Sequence, residues 1–337
     1  MGAGWTGVGS FIGVGEETTW GTPVASSLYL EPLEESLAKT IDYIEVPTIY
    51  NLGIDKDNHF FDGSIKAGGN LVFATPYESI AFLKLIKAIF GEGSVANANI
   101  EATIAWTHTF TIKDSLPTTK PGVTLEVKRG KDAGNTQSFQ MAGIMPNTLE
   151  FNLGGVSDVL KATFGLVGKD ATLITATSPT MPTGVANRKY IGTKASVSWG
   201  GISKAVSNIT FSMNNNLSAD FYRVGSTTID QPIRGSSLVI DGNFTILFDS
   251  MAEYNDFIAK TDKVLLMTCD SGTKIGASAI NNYKLELKCP FAILSGFPVN
   301  VSNVGRITVS VPFRGLRSGA TNEFELKFQD GQDGASI

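Results

Sequence analysis

Apolar and polar positions alternate along much of this chain, and at two places the period lengthens to that of a helix. The clearer helix follows Thr75, where Phe82, Leu85, Ile86 and Ile89 recur at helical spacing. Thr75 reads as its N-cap, with Pro76 at the first helical position, Glu78 completing a capping box and Gly91 placed to end it. The strand before it, 63–74, carries Gly69-Asn70-Leu71-Val72-Phe73-Ala74. A near copy, Gly242-Asn243-Phe244-Thr245-Ile246-Leu247-Phe248, lies in a strand over 237–248. That strand leads to a second capping pair, Ser250 and Glu253, and to a helix whose apolar side is Met251, Tyr254, Phe257 and Ile258.

The remaining pattern fills in around these two units. A strand is expected over 28–40, then a long aperiodic loop over 41–62. After the first helix come a small-residue loop over 92–103 and strands at Thr107–Lys113, Val123–Lys128 and Ser138–Ala142. Gly143-Ile144-Met145-Pro146 reads as a break before the paired strands Thr148–Leu153 and Val159–Val167, which turn at Gly154-Gly155. In the second half the expected strands are 195–200, 206–213, 263–268, 283–289, 299–302, 306–313 and 322–328, with a long polar loop from Asn214 to Arg234. The organisation is an N-terminal arm over 1–27, a first domain over 28–174, a linker over 175–194 containing Pro179, Pro182 and Gly184, a second domain over 195–328 and a tail over 329–337.

The second half repeats the first in order. Gly69 matches Gly242 at a shift of 173, and Thr75 matches Ser250 at 175, so the second strand is two residues longer. An even insertion keeps the buried face buried. Downstream, Gly143-Ile144-Met145-Pro146 resembles Gly296-Phe297-Pro298, and Ala162-Thr163-Phe164 resembles Val311-Pro312-Phe313.

Composition narrows the function class more than the fold. A chain of 337 residues suits about two domains. The 36 glycines suit many turns, and a net charge of −5 argues against a basic nucleic-acid footprint. No secretory signal is read at the N-terminus, and no apolar run approaches the ~18 residues of a membrane helix. Cys269 and Cys289 are too few for a disulfide scaffold or a metal cluster.

Candidate chemistry is sparse. Gly2-Ala3-Gly4-Trp5-Thr6-Gly7 has dinucleotide-loop spacing but no strand before it and no helix after it. Asp55-Lys56-Asp57-Asn58-His59 lacks the Gly and Glu of a calcium loop, since Phe60 and Lys66 stand there. His59 and His108 neighbour no nucleophile motif, and His108 is expected to point outward from the strand Trp106–Phe110. Glu34 and Glu35 are adjacent in a strand and face opposite ways. These residues predict no enzyme, no cofactor and no metal. The aromatic residues Phe60, Phe61, Phe221 and Tyr222, beside the two long loops, read equally as core plugs or contact anchors.

The stretch Gly7-Val8-Gly9-Ser10-Phe11-Ile12-Gly13-Val14-Gly15-Glu16-Glu17-Thr18-Thr19-Trp20-Gly21-Thr22-Pro23 resembles the N-terminal signature of phage tail tube proteins. The strand, long loop, Gly-Asn-Leu strand and helix that follow are similar to that family's tube domain. The resemblance implies a mainly β fold with flanking helices: two tandem tail-tube-type β-sandwich domains, each with one α-helix, assembling edge to edge into a β-barrel ring. Six such domains normally make a ring. A chain carrying two predicts a trimeric pseudo-hexameric ring, alternatively a hexamer, stacked with itself.

Further expectations follow from that resemblance. The long loops reach the next ring through Tyr50, Asp55, Asp57, His59, Phe60, Phe61, Phe221, Tyr222, Arg223 and Arg234. The arm packs on a neighbour through Trp5, Phe11 and Trp20. The protein belongs in the virion tail, assembled in the host cytoplasm alongside other tail proteins and without a membrane. DNA passes through the lumen without specific binding, past alternating polar positions of 28–40, 63–74, 206–213 and 237–248. The competing reading is a β-sandwich binding module at the tail tip, on the capsid as decoration, or on a glycan.

Overall fold

A computed structural model describes residues 9–46, 60–91, 94–101, 104–113, 116, 121–130, 137–177, 184, 187–299, 306–317, 324–334 and 337. The fold is mainly β, antiparallel, with two α-helices among the described residues. The first half contains β1 (Phe11–Glu17), β2 (Leu28–Leu30), β3 (Glu34–Glu35), β4 (Ala38–Glu45), β5 (Phe60–Ala74), α1 (Ile80–Phe90), β6 (Val95–Glu101), β7 (Ala105–Thr111), β8 (Gly122–Lys128), β9 (Gln137–Leu153), β10 (Lys161–Gly168) and β11 (Asp170–Thr175). The second half contains β12 (Ala195–Trp199), β13 (Ile202–Lys204), β14 (Val206–Asn214), β15 (Leu217–Ser218), β16 (Ile233–Arg234), β17 (Val239–Leu247), α2 (Ala252–Ala259), β18 (Lys263–Lys274), β19 (Asn282–Leu294), β20 (Thr308–Gly315) and β21 (Glu325–Asp330).

Two long strands organise the molecule by changing partners along their length. The first part of β9 pairs with β8 and β11, and its second part with β10 and β14. In the same way β19 pairs first with β18 and β21, then with β20. Each change falls at a proline, Pro146 or Pro290. Proline has no N–H to give a ladder, so it is tolerated where pairing slips, and a register shift stands opposite or beside each. At Gly143 the backbone takes φ +68°, which a β-carbon would resist.

The second parts of β9 and β19 belong to one continuous run of pairings: β3 and β4 with β5, then β10, β9, β14, β17, β20 and β19. Within it β5 lies between β4 and β10, as β17 lies between β14 and β20. Outside it β1–β8–β9 is matched by β12–β18–β19, and β11–β9 by β21–β19. The halves are stitched together twice, by β14 on β9 and by β21 on β7. One face of the run is apolar. Leu71, Phe73, Phe151, Phe164, Phe211, Phe244 and Phe313 are all buried there, with Phe211 and Phe313 edge-on at 5.3 Å. Burying such a side chain is worth about 1.5–3 kcal/mol.

Several local expectations are corrected. The single strand expected over 28–40 is three pieces, and the break at Gly143–Pro146 is strand throughout, because Glu17 supplies the bond the bend needs. The small-residue loop over 92–103 contains β6, which pairs with β7. The cap of α1 is Ser79, whose hydroxyl accepts from the Phe82 N–H, and not Thr75; Gly91 does end the helix. Pro76 instead bridges to Lys189, with Thr75 bonded to Leu160 and Tyr190 and Tyr77 to Arg188, and Glu78 accepts from Gly331 and Gln332. Ser250 and Glu253 do bond each other, although Met251 takes the cap position. The apolar side expected for α2 is half met: Tyr254 and Phe257 pack against the core, but Met251 and Ile258 are more than half exposed, while Glu253 is buried against Lys204. Within the expected linker, Tyr190 is fully buried, and Lys189 and Ile191 bridge to Pro76 and Val159. Strand β21 runs into the expected tail as far as the buried Asp330.

Candidate functional site

The feature with the widest reach is the face of the eight-strand run opposite its core. Side chains alternate in a strand, so the residues between Leu149, Phe151 and Leu153, or between Ile209, Phe211 and Met213, must point away from that core. One row crosses every strand through directly opposed residues: Glu34, Val72, Thr163, Glu150, Ser212, Asp241, Arg314 and Ile293. The next reads Lys161, Asn152, Thr210, Asn243 and Pro312. A third reads Asn70, Gly165, Thr148 and Asn214.

Short uncharged polar groups dominate this surface. Its acids Glu34, Asp42, Glu150 and Asp241 are interspersed with Lys66, Lys161 and Arg314, and Asp241 lies directly opposite Arg314. Such a face offers hydrogen bonds but no concentration of either charge. Tight phosphate binding needs several lysine or arginine contacts at once, and this face does not cluster them. The expected inner-wall strands contribute, with the even-numbered residues of β5 and β14 on this side. The strands expected at Thr148–Leu153, Val159–Val167 and 306–313 are present as parts of β9, β10 and β20, but their share in this face was not expected, although Thr148-Leu149-Glu150-Phe151-Asn152-Leu153 alternates plainly enough to have signalled it.

A second centre lies under the bend of β9. The Glu17 carboxylate is fully buried and accepts from Gly21 N–H at 2.6 Å, Gly143 N–H at 2.8 Å and the Thr124 hydroxyl at 2.8 Å. Trp20 donates its indole N–H to the Gly143 carbonyl at 3.0 Å, and Lys169 sits over its ring at 5.7 Å. The Glu-Thr-Thr-Trp-Gly stretch therefore shapes the point where β9 passes from one set of partners to the other.

The residues expected to make loop and arm contacts are dispersed. Trp5, Tyr50, Asp55, Asp57 and His59 lie outside the described residues, as does the side chain of Phe60. Phe61 is more than half exposed, beside the exposed Tyr43 and Ile44 on the β4–β5 hairpin. Phe221 is also exposed, and Tyr222 bridges to Ile229. Arg223 pairs with Asp230 at 2.6 Å, and Arg234 donates to the Lys113 carbonyl at 3.0 Å and to Asn215 at 2.9 Å. The loop after β14 folds back on the first half, where the Ile65 N–H donates to the Thr227 carbonyl at 2.6 Å. Phe11 is buried within its own chain, edge-on to Tyr29 at 5.5 Å, because β1 lies between β2 and β8.

The expectation for His108 is overturned. It is wholly buried, bonded to Asn97 at 2.8 Å and to Asp330 at 3.0 Å, because β6 and β21 flank β7. Both cysteines are buried, and burial pushes the Cys269 thiol up to about 12 and that of Cys289 further. Glu34 and Glu35 do diverge, and Glu35 forks onto Arg129 at 2.6 and 3.0 Å. Among the described residues no three His, Cys, Asp or Glu side chains form a metal-sized cluster.

A family model described as phage tail tube protein matches residues 7–315, nearly the whole chain. No curated protein matches it.

Proposed function

The chain belongs to the phage tail tube protein family, a structural component of the virion tail, and from that premise we propose that it is the subunit of the hollow tube through which DNA leaves the particle. The observation carrying this reading is the eight-strand run with a polar face that clusters no cations on one side and the core on the other. Closed on itself through further copies, that sheet would have no exposed edges, and its polar face would become a wall along which a polyanion slides without being held.

Ring size follows from the repeated pairing pattern. The equivalence of β4–β5–β10–β9 with β14–β17–β20–β19 supports a duplicated tube domain, so three copies supply the six units of a pseudo-hexameric ring. Three runs of eight strands at ~4.8 Å spacing give a circumference of roughly 115 Å, and strand tilt widens it. That passes a double helix. Rings then stack through the β4–β5 hairpin and the loop after β14, other tail proteins cap the stack, and DNA makes no specific contact. Assembly takes place in the host cytoplasm.

The mass of the smallest stable assembly tests this reading, together with negative-stain microscopy of concentrated protein. Three chains per ring and hollow stacks are expected. Small discrete particles without a channel at high concentration would defeat it and favour a binding module.

A further inference from the structure

Within the eight-strand run, the described residues hold one junction between the two halves, β14 on β9, and not the reciprocal one. Inside it, the strand preceding the helix-leading strand of the second half, β14, lies on the outer side of the second part of β9, from Ile209 opposite Leu153 to Asn214 opposite Thr148. The corresponding strand of the first half is β3 with β4, and among the described residues it pairs only with β5. The strand corresponding to β9 is β19. Beyond Ala292 its end pairs, among the described residues, only with β20, continued by the Ser295 N–H on the Pro312 carbonyl at 2.9 Å.

We propose that β3–β4 of one copy pairs antiparallel with Ile293–Val299 of the next copy, reproducing between chains the β14–β9 junction found within the chain. This rests on the tube reading above and adds to it which two edges meet. The contact is head-to-tail, with different patches on the two sides, and such contacts close into rings when the rotation allows.

The β3–β4 edge has the properties of a surface awaiting a strand. Glu34, Ser36, Ala38, Lys39 and Thr40 are exposed, and Leu33 beside them is 51% exposed. An exposed edge of this kind invites indiscriminate pairing unless charges guard it. Here the guard is specific. Leu37 donates its N–H to Glu35 at 3.1 Å and accepts at its carbonyl from Arg129. Leu37 lies beside Gly69 as Phe211 lies opposite Gly242, so it is the counterpart of the residue at the middle of the internal junction. Lys39 is tied back to Asp170 at 2.7 Å. These ionic contacts satisfy the edge in the lone chain, and the neighbouring strand replaces the bonds at Leu37.

Engineered cysteines test the pairing. The Gly69/Gly242 and Phe164/Phe313 matches differ by two residues in register, because Gly69 faces Leu166 whereas Gly242 faces Phe313. Three double variants therefore span the registers that keep side chains on one face: Ser295→Cys combined with Ser36→Cys, Ala38→Cys or Thr40→Cys. Thr148→Cys with Asn214→Cys, which are direct partners within the chain, is the positive control. The buried native thiols stay out of the reaction. Oxidised rings of one variant should give a non-reducing ladder of dimer and trimer that stops at trimer. Separately, Thr40→Cys alone should lose at least tenfold in maleimide reactivity on assembly. Intact rings with no cross-link from any of the three pairs, while the control closes, would overturn the edge assignment and leave the tube reading standing. Absence of rings in the unmodified protein would overturn both.

Discussion

Phe211 lies directly opposite Phe151 on adjacent antiparallel strands, and both are buried where the two halves of the chain share a sheet. Phe211→Ala should cost about 3–5 kcal/mol. Phe151→Ala should cost a similar amount, with the double variant short of additive because the rings are neighbours. Chemical denaturation of the four proteins measures this. Full additivity would mean that the halves are not coupled through this pair.

Glu17 predicts a second sensitivity. Its carboxylate serves three donors, and hydrogen bonds to charged groups are worth about 1.5–3 kcal/mol each. Glu17→Gln turns an NH2 toward backbone N–H groups and should lower stability by about 2–4 kcal/mol. The loss should appear as faster hydrogen exchange at Gly21 and Gly143.

Acid should loosen α2. Burial opposes ionisation of Glu253, but hydrogen bonds from Lys204, its own N–H and Ser250 outweigh that and hold its pKa below the usual value. A depressed folded pKa means that the stabilisation is present above the unfolded value of about 4.3 and is lost as pH falls through the folded one. Glu253→Gln should flatten that part of the stability profile, measured as Tm against pH from 6 to 3.

Alkali should act through groups whose burial favours the neutral form. Cys269 and Tyr283 are each pushed up to about 12, and Cys289, Tyr190 and Tyr77 are also raised. The unfolded chain ionises first, so stability present below a pH of about 8.5 declines as pH rises toward the folded values. A thiol reagent at pH 8 should find no reactive cysteine until denaturant is added, and then two.

The polar face gives a charge prediction. Thr210→Lys and Asn152→Lys place cations side by side, since these residues are direct partners. Rings of the double variant should retain DNA that unmodified rings release. The retention should weaken with salt at a log–log slope near −0.9 for each phosphate engaged. Equal retention by both proteins would remove the electrostatic basis of the sliding wall.

Local chemistry carried the parts of this fold that were readable in advance. The apolar face of α1 and the alternation in β10, β14 and β17 depend on neighbours three or four, or two, residues away. What escaped depended on distant partners. Gly143 and Pro146 look like punctuation, yet Glu17, 126 residues away, pairs the bend and lets the strand continue. Thr75 followed by Pro76 looks like a cap until Lys189 bridges to Pro76. His108 reads as outward until β21 arrives from the far end of the chain with Asp330. The polar wall was half visible for the same reason: alternation marks which residues share a face, while the order in which β9, β10 and β20 join it is set by long-range pairing.

The partner exchange along β9 and β19 has a mechanical corollary. In most layered β folds, two skins are held against each other by side-chain packing alone, and a shearing load can slide them apart. Here two strands, β9 and β19, pass from one set of partners to another, so in the proposed wall a load pulling those sets apart would be borne by peptide bonds at the crossings. The tube wall proposed above would thereby be laced, at two points in every subunit, with thread that does not peel.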